Sequence, residues 1–358
     1  MEPMNREFSM SNNKVWHRHE EEFIYIYSYC FVTKGFAKVS VIDTCQQKFY
    51  LFNKETYELF KILKTHKIKE IIEMFSRESE LDTFNDFVTY ILQNEIGRFV
   101  KNIICFPEIE EVWDEPRIIK KALIDIRKIF HDFKSIFSQL SDLGCRNVEI
   151  RSYRVLHYNE LEEISNCVSN DSIRHINIVS PFFSFFDSIE EINNLIKQNP
   201  RLHLSFYKTP IEEKIKFEKH TKNEILLSNK IKLSTININS CDDCGNIDVN
   251  RLKIPTLDEY MENKIYNGCL NRQIGIDENG DIKNCPSFEF AYGNIKNTNL
   301  SDVVKNPDFQ KYWHINKEKI DVCRECEFRV ICIDCRAYVL DKNNIYSKPL
   351  KCNYNQLH

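Results

Sequence analysis

The amino-acid sequence predicts an α/β protein with a small amino-terminal unit, a partial parallel barrel or open sheet in the middle, and a cysteine-rich tail. Three observations lead to this prediction. Strand-like segments alternate with helical segments in the middle of the chain, apolar and polar residues alternate near the amino end, and seven cysteines follow residue 268. The 358 residues are 42% hydrophobic and 28% charged, which suffices for a buried core and indicates two or three domains.

The amino-terminal part combines a polar start with a hairpin and three helices. Residues 1–21 are polar and mixed in charge, and we expect them to be disordered. Phe36–Thr44 alternates apolar and polar residues, and Gln47–Phe52 follows after a short polar turn, which predicts a hairpin. Asn53 is a suitable N-cap for the next helical stretch. We therefore predict that residues 22–106 form a unit that resembles a winged helix.

Residues 107–240 alternate strand and helix, and this order predicts a parallel sheet. The strand-like segments are KKALIDI, CRNVEIRSY, RHINIVSPFF and RLHLSFYKT, and the helical segments between them are DFKSIFSQLSDLG, LEEISNCVS and SIEEINNLIKQ. Strands joined by helices imply right-handed crossovers. The number of units is too small for a closed eight-stranded barrel, so a partial barrel or an open sheet is expected.

Composition excludes several classes of protein. The formal net charge of -4 argues against a dedicated nucleic-acid binder. The longest apolar run, FIYIYSYCFV, is too short to span a membrane, and the polar start shows no secretory signal. A cytoplasmic location is expected, where 14 cysteines indicate metal sites or buried thiols instead of disulfides.

No catalytic residues are predicted. The sequence contains no G-x-S-x-G, H-E-x-x-H, Walker or G-x-G-x-x-G motif. Whether the chain is an enzyme is therefore open at this stage.

The cysteines of residues 241–358 carry the strongest signal. They are Cys269, Cys285, Cys323, Cys326, Cys332, Cys335 and Cys352, and the central four form a C-x2-C-x5-C-x2-C run. Thiolates this close together suit a soft metal ion, so iron–sulfur clusters or structural zinc are expected. The Asn279–Gly280 turn predicts a hairpin that brings Cys269 and Cys285 together.

The order C-x10-G-x4-C, C-x2-C-x5-C-x2-C and a final C resembles the SPASM domain of radical-SAM peptide maturases. The resemblance implies one or two auxiliary [4Fe–4S] clusters in the tail. It implies Cys269, Cys285 and Cys335 as ligands of the first cluster, and Cys323, Cys326, Cys332 and Cys352 as ligands of the second. The first set lacks a fourth thiolate, which Cys241 or Cys244 could supply; a separate thiol pair or an open iron site are the alternatives.

The chain lacks the C-x3-C-x2-C motif that holds the radical-SAM cluster, so binding of S-adenosylmethionine is not expected. The segments CFVTKG, WDEP, NGCLNRQIGIDENGDIKNCPS, CEFRVICIDCRAY and SKPLKC resemble the SPASM-domain maturases of grasp-with-spasm systems. This resemblance implies a degenerate radical-SAM-like barrel, a precursor peptide as partner, and an ATP-grasp ligase that cross-links that peptide.

The expected function is maturation of a ribosomally synthesised peptide together with that ligase. The amino-terminal unit resembles peptide-recognition domains, which bind a leader peptide as an added strand, although a purely structural cap would show the same pattern. Two other functions are kept: a non-enzymatic adaptor that presents the peptide to the ligase, and a zinc-ribbon scaffold.

Overall fold

The computed structural model describes residues 14–128, 130–168, 172–184, 189–221, 225–333 and 335–354. Its strands are β1 Phe23–Ile26, β2 Cys30–Lys34, β3 Lys38–Asp43, β4 Lys48–Asn53, β5 Gly97–Val100, β6 Lys121–Ile126, β7 Asn147–Ser152, β8 His175–Pro181, β9 Leu202–Tyr207, β10 Ile231–Leu233, β11 Gln273–Ile276 and β12 Ile282–Lys283. Its helices are α1 Thr56–Ile62, α2 Ile68–Ile72, α3 Glu78–Gln93, α4 Phe133–Asp142, α5 Tyr158–Asn166, α6 Ile189–Gln198, α7 Ile211–His220, α8 Ile225–Lys230, α9 Leu257–Ile265, α10 Leu300–Val304 and α11 Pro307–Gln310.

The amino-terminal unit contains the expected hairpin. Strands β2, β3 and β4 form an antiparallel sheet, and β1 pairs with β5. Asn53 does not cap α1, because it pairs with Lys38 as the last residue of β4, and Glu55 is the N-cap residue instead. The strand therefore ends one residue later than predicted, and the helix begins two residues later.

The disorder expected over residues 1–21 does not hold for residues 14–21. The side chain of Trp16 is only 4% exposed and belongs to the core of the amino-terminal unit. Lys14 Nζ donates to Glu78 Oε1 at 2.6 Å, which ties this segment to α3. The rest of the expected extension, residues 1–13, lies outside the described residues.

The central sheet has seven strands in the order β10-β9-β8-β7-β6-β11-β12. Strands β6 to β11 run parallel, and β12 returns antiparallel beside β11. From β6 to β10 the spatial order follows the chain, as in one part of a barrel. This confirms the expected α/β fold with a partial parallel barrel.

One face of this sheet is apolar and covered by helices. Its buried side chains, among them Ile124, Ile150 and Ile178, pack in one core with α4, α5 and α6. In α4 the buried residues recur at helical spacing, since Phe133, Ile136, Phe137 and Leu140 all face this core. The alternation of the strands thus places the helices on one side only.

The opposite face of the sheet is polar and half-buried. Glu149, Asn177 and His203 lie in register across β7, β8 and β9, between the apolar positions. Both faces of a parallel sheet are usually apolar, so this polar, half-buried face agrees with an open barrel.

The cysteine-rich tail is joined to the central sheet. Strand β11, which follows Cys269, pairs with β6 from Gln273↔Lys121 to Ile276↔Ile124. The expected turn follows it, and Gly280 has φ +89°, which glycine adopts without strain. The hairpin predicted between Cys269 and Cys285 is therefore β11–β12.

The amino-terminal unit packs on the tail. A small apolar core joins Phe31 and Ile42 of the unit to Tyr260, Met261 and Phe328. The rings of Phe31 and Tyr260 stack with centroids 4.0 Å apart. Among the helices of the described ranges, none has the length and apolar character needed to cross a bilayer.

Candidate metal centre

The tail cysteines fall into two sets. Thiol set A consists of Cys244, Cys269, Cys285 and Cys335: the Cys335 thiol interacts electrostatically with the other three, and Cys285 interacts with Cys244 and Cys269. Thiol set B consists of Cys323, Cys326, Cys332 and Cys352, which line one cavity. Set A holds Cys244 besides the three cysteines that the resemblance implies for the first cluster, and set B holds the four that it implies for the second. That these cysteines are metal ligands stays a prediction.

Cys269 is held in place by hydrogen bonds to a buried asparagine side chain. The side chain Oδ1 of Asn267 accepts from the backbone N–H groups of Cys269 at 3.0 Å and Leu270 at 2.8 Å. Asn267 is itself held by the carbonyl of Ile315, to which its Nδ2 donates at 2.9 Å. Cys269 therefore stands in a fixed turn between α9 and β11.

A glycine allows Cys285 to approach β11. A Cβ atom on Gly275 would lie 2.6 Å from Cδ of Pro286 and 2.8 Å from Cα of Cys285. Such contacts are too short for any side chain, so only glycine fits here. The hairpin and this close approach together bury Cys285, which is 3% exposed.

The two candidate cysteines of the CDDC segment differ in their surroundings. Cys244 interacts with the thiols of set A, as described above. Cys241 instead lies against Ser287 and Tyr338, whose hydroxyl groups both donate to its carbonyl oxygen at 3.2 Å. Burial, and then the nearby charge of Asp125, raise the pKa of the Cys241 thiol.

Thiol set B lies in a short loop and an adjoining strand-like segment. Residues Cys323–Glu325 form a 3-10 turn, and the Cys326 N–H donates to the Cys323 carbonyl at 2.9 Å. The Cys332 N–H donates to the Phe328 carbonyl at 2.9 Å. Cys352 reaches the same cavity through a bridge between its own backbone and that of Ile247.

The cavity of set B is small and has apolar and cationic walls. Its volume is about 20 Å³, room for about one water molecule. Besides the four cysteines it is lined by Ile247, Val249, Leu252, Lys317, Phe328, Arg329, Lys348, Pro349 and Tyr354. Three residues with cationic side chains, Lys317, Arg329 and Lys348, are thus among the lining residues.

Burial favours the protonated form of three of these thiols. It raises the pKa of Cys285 and of Cys326 to about 12, and it also raises the pKa of Cys335. The backbone N–H groups of Ser287 and Phe328 act in the opposite direction, because they donate to the thiols of Cys285 and Cys326. Ala337 does the same for Cys335. A bound metal cation would reverse the preference for the protonated form.

The residues of the two thiol sets have the donor chemistry of a metal centre, but not its geometry. Within the described part of the chain, no three Cys, His, Asp or Glu side chains already stand in metal-bonding geometry. The donor chemistry nevertheless fits, because four thiols share one cavity and backbone N–H groups point at sulfur, as in iron–sulfur and zinc–thiolate sites. No imidazole or carboxylate lines the cavity of set B, so the donors are purely sulfur.

A polar network at the carboxyl ends of β6 and β7 was not predicted. Arg151 donates to both carboxylate oxygens of Asp125 at 2.8 and 3.1 Å, and the Tyr153 hydroxyl donates to Asp125 Oδ2 at 2.9 Å. Sites collect at the carboxyl ends of parallel strands, so the aspartate in the apolar segment KALIDI was the available signal. The network interacts electrostatically with Cys241 and Cys285.

Comparisons with known proteins agree with a metal-binding tail. Residues 269–327 match the family model of SPASM, an iron-sulfur cluster-binding domain. Two relatives named AdoMet-dependent heme synthase, from Nitratidesulfovibrio vulgaris and Oleidesulfovibrio alaskensis, are each 25% identical, over 103 and 104 residues. Each match covers 28% of this chain and 28% or 26% of the relative, so the similarity spans about a quarter of those proteins.

A solved structure also aligns with most of the chain. It is Streptococcus suis SuiB bound to its precursor peptide SuiA, with 12% sequence identity and a TM-score of 0.30. The alignment covers 91% of this chain and 99% of SuiB.

Proposed function

Because residues 269–327 form a SPASM iron–sulfur cluster-binding domain, we propose that this chain takes part in maturing a ribosomally synthesised peptide beside an ATP-grasp ligase. The proximity of the tail cysteines to one another in two sets of four carries the proposal. The sequence segments that resemble grasp-with-spasm maturases support the ligase as partner and the peptide as substrate.

Each thiol set would hold one [4Fe–4S] cluster. In set A the ligands would be Cys244, Cys269, Cys285 and Cys335, with Cys244 as the fourth thiolate that the sequence left open. In set B they would be Cys323, Cys326, Cys332 and Cys352. A bound cluster supplies electron transfer or holds a substrate atom. Zinc is the alternative occupant, since a four-thiolate site also suits it.

The protein residues around the clusters have defined tasks. The backbone N–H groups of Ser287 and Phe328 stabilise deprotonated sulfur. Lys317, Arg329 and Lys348 line the cavity of set B and would offset part of the negative charge of a bound cluster. These contacts would tune the reduction potential, which depends on hydrogen bonds and local charge.

The amino-terminal unit would bind the leader part of the peptide. Strands β2 and β4 are the outer strands of the three-stranded sheet, and each has one side that pairs with no other strand of the described chain. Such a free edge can accept an extended peptide through main-chain hydrogen bonds. We assign no adenosyl-radical step to this chain, because its sequence has no C-x3-C-x2-C motif.

Metal analysis of the protein purified without oxygen tests the cofactor part of the proposal. Two loaded sets would give about eight irons and about eight sulfides per chain. Replacing Cys269 or Cys326 by serine is expected to remove about half of the iron in each case. Stoichiometric zinc with no iron in the wild-type protein would contradict the iron–sulfur assignment.

The adaptor function is the second candidate, and one observation favours it. At the carboxyl ends of β6 and β7, where barrel enzymes place catalytic groups, the charged groups of Asp125 and Arg151 are already bonded to each other. Ligase assays with the precursor peptide, with and without this chain, separate the two functions. Faster ligation with no additional mass on the peptide supports the adaptor, and a further mass change that requires a reductant supports an enzyme.

A further inference from the structure

The loop that carries set B is bonded to the amino-terminal unit. This metal loop, residues 323–332, lies against the hairpin turn between β2 and β3, residues 34–38. The Phe36 N–H donates to the Glu325 carbonyl at 2.6 Å. The Ser40 hydroxyl, just after the turn, donates to the Glu327 carbonyl at 2.7 Å.

Arg329 adds a third bond between the two segments. Its Nη1 donates to the Lys34 carbonyl at 2.7 Å and to the Cys326 carbonyl at 2.9 Å. One guanidinium group therefore joins the first residue of the hairpin turn to a cysteine of set B. Arg329 also lines the cavity of that set.

The two segments pack without space between them at Gly35. A Cβ atom on this glycine would lie 2.6 Å from Cβ and from Oε2 of Glu327. It would also lie 2.7 Å from the backbone nitrogen of Glu327. The hairpin turn can thus occupy this position only while the metal loop keeps its present course.

Glu327 connects this contact to the cavity of set B. Its side chain is fully buried, and Oε1 accepts from the Tyr354 hydroxyl at 2.6 Å. Tyr354 lines the cavity together with Cys326 and Cys352. One residue therefore touches the hairpin turn on one side and a wall of the thiol site on the other.

We infer that metal binding at set B and the position of the amino-terminal hairpin are coupled. The inference rests on the proposed metal binding at set B and goes beyond it. A metal bound by Cys323, Cys326 and Cys332 fixes the course of the metal loop, and only that course accepts Gly35, Phe36 and Ser40. Coupling is reciprocal, so anything that holds the hairpin turn in place tightens metal binding by the same factor.

This coupling would let the amino-terminal unit respond to the state of the tail. With set B empty, the loop is held only by its hydrogen bonds and packing, and local opening becomes easier. With set B filled, four side chains fix the loop through one metal centre. A peptide bound to the hairpin sheet would then be presented only by chains with a filled site.

Hydrogen exchange on the full chain, with Zn²⁺ as the probe, tests the first direction. A Cys269→Ser background removes one thiol of set A and leaves set B as the site with four thiols, and the dependence on Cys326 assigns the effect to set B. Zn²⁺ is expected to slow exchange of the Phe36 N–H and its neighbours in residues 34–40 at least fivefold. The turn between β3 and β4, residues 44–47, serves as an internal control that should not change. Cys326→Ser should abolish the effect.

Chelator competition for Zn²⁺ in the same background tests the second direction. Ser40→Ala removes one bond to the metal loop without adding atoms, and Gly35→Ala introduces the clash with Glu327. Both are expected to weaken Zn²⁺ binding at set B, by about 5- to 150-fold, the usual range for coupled sites. Ser79→Ala, an exposed serine of α3, is the matched control and should bind Zn²⁺ as the parent does. Circular dichroism verifies that each variant is folded.

Two failures are distinguishable. If Zn²⁺ binding does not depend on Cys326, both the proposed ligand set of set B and the coupling are overturned. If set B binds Zn²⁺ but exchange in residues 34–40 is unchanged, or Ser40→Ala binds as tightly as its parent, only the coupling is overturned.

Discussion

At the scale of single residues, Val322 has an unusual backbone next to a proposed metal ligand. It precedes Cys323 and has φ +67° and ψ −45°, a left-handed conformation that is strained for a β-branched residue. Its side chain is 48% exposed, so burial gives little in return. The strain lies at the position where set B begins, as is common at functional sites.

Replacing Val322 by glycine should stabilise the metal-free protein. Glycine adopts this conformation without strain, and the gain should exceed its entropic cost, for a net increase of about 1 kcal/mol in the free energy of unfolding. Urea unfolding of the metal-stripped chain measures it. Val112→Gly is the control: Val112 is exposed and has no positive φ, so that change should lower stability. A loss of stability in Val322→Gly would show that the conformation is not strained.

Cys145 gives the chain a predictable response to alkaline pH. It is fully buried in the core of the central sheet. Burial raises the pKa of its thiol to about 12. A raised pKa means that its contribution to stability is intact below the unfolded-state pKa of about 8.5 and is lost as the pH rises toward 12. Cys145→Ala should therefore reduce the loss of stability by about 1.4 kcal/mol per pH unit between pH 9.5 and 11.

Urea unfolding at several pH values measures that slope. Cys105→Ala is the matched control, because Cys105 is exposed and its removal should leave the alkaline slope unchanged. Equal slopes for wild type and Cys145→Ala would contradict the assignment.

At the scale of elements, the ion pair at the carboxyl ends of β6 and β7 fixes the neighbouring loops. The Asp125 and Arg151 side chains are 3% and 11% exposed and share two hydrogen bonds. Removing one partner leaves a buried charge without compensation, which is far more costly than removing both.

Asp125→Asn should therefore lower the free energy of unfolding by about 3–5 kcal/mol, and Arg151→Met in addition should restore a large part of it. A double-mutant cycle by urea unfolding measures the coupling between the two side chains. The exposed pair Arg77–Glu80 is the control, where the same kind of change should cost less than about 1 kcal/mol. Simple additivity at Asp125 and Arg151 would show that the pair does not act as a unit.

Elements with strong local patterns could be predicted from the sequence, and contacts between distant segments could not. The strands of the central sheet and α4 follow from alternation and helical spacing, and the β11–β12 hairpin follows from Asn279–Gly280. The division of the cysteines into two sets could be predicted only from the family resemblance, not from their spacing. The spacing also does not show that Cys241 and Cys244 have different surroundings, because Cys241 contacts Ser287 and Tyr338, which lie far away along the chain.

At the scale of the whole molecule, the tail and the central sheet should unfold together. Strand β11 leads from Cys269 into the sheet, so, if set A binds a metal as proposed, its loss would weaken a strand of the main core. A bound metal at about 1,000 times its dissociation constant stabilises by about 4 kcal/mol, which corresponds to roughly 5 °C in melting temperature for one transition of a chain this long.

Calorimetry of the loaded and the metal-stripped chain measures this effect. A single transition that shifts downward on stripping is expected. A separate low-temperature transition confined to the tail would contradict joint unfolding. Cys105→Ser, outside both sets, should respond to stripping as the wild type does.

The pairing of β11 with β6 also determines what becomes of a shortened chain. A fragment that stops before β11 would leave the backbone of β6 without a neighbour on one side, in the middle of the molecule's largest sheet. Uncovered strands of this kind recruit other chains, so such a fragment should form insoluble aggregates. An isolated tail fragment would also have an unpaired strand, because β11 would lack β6 as its neighbour.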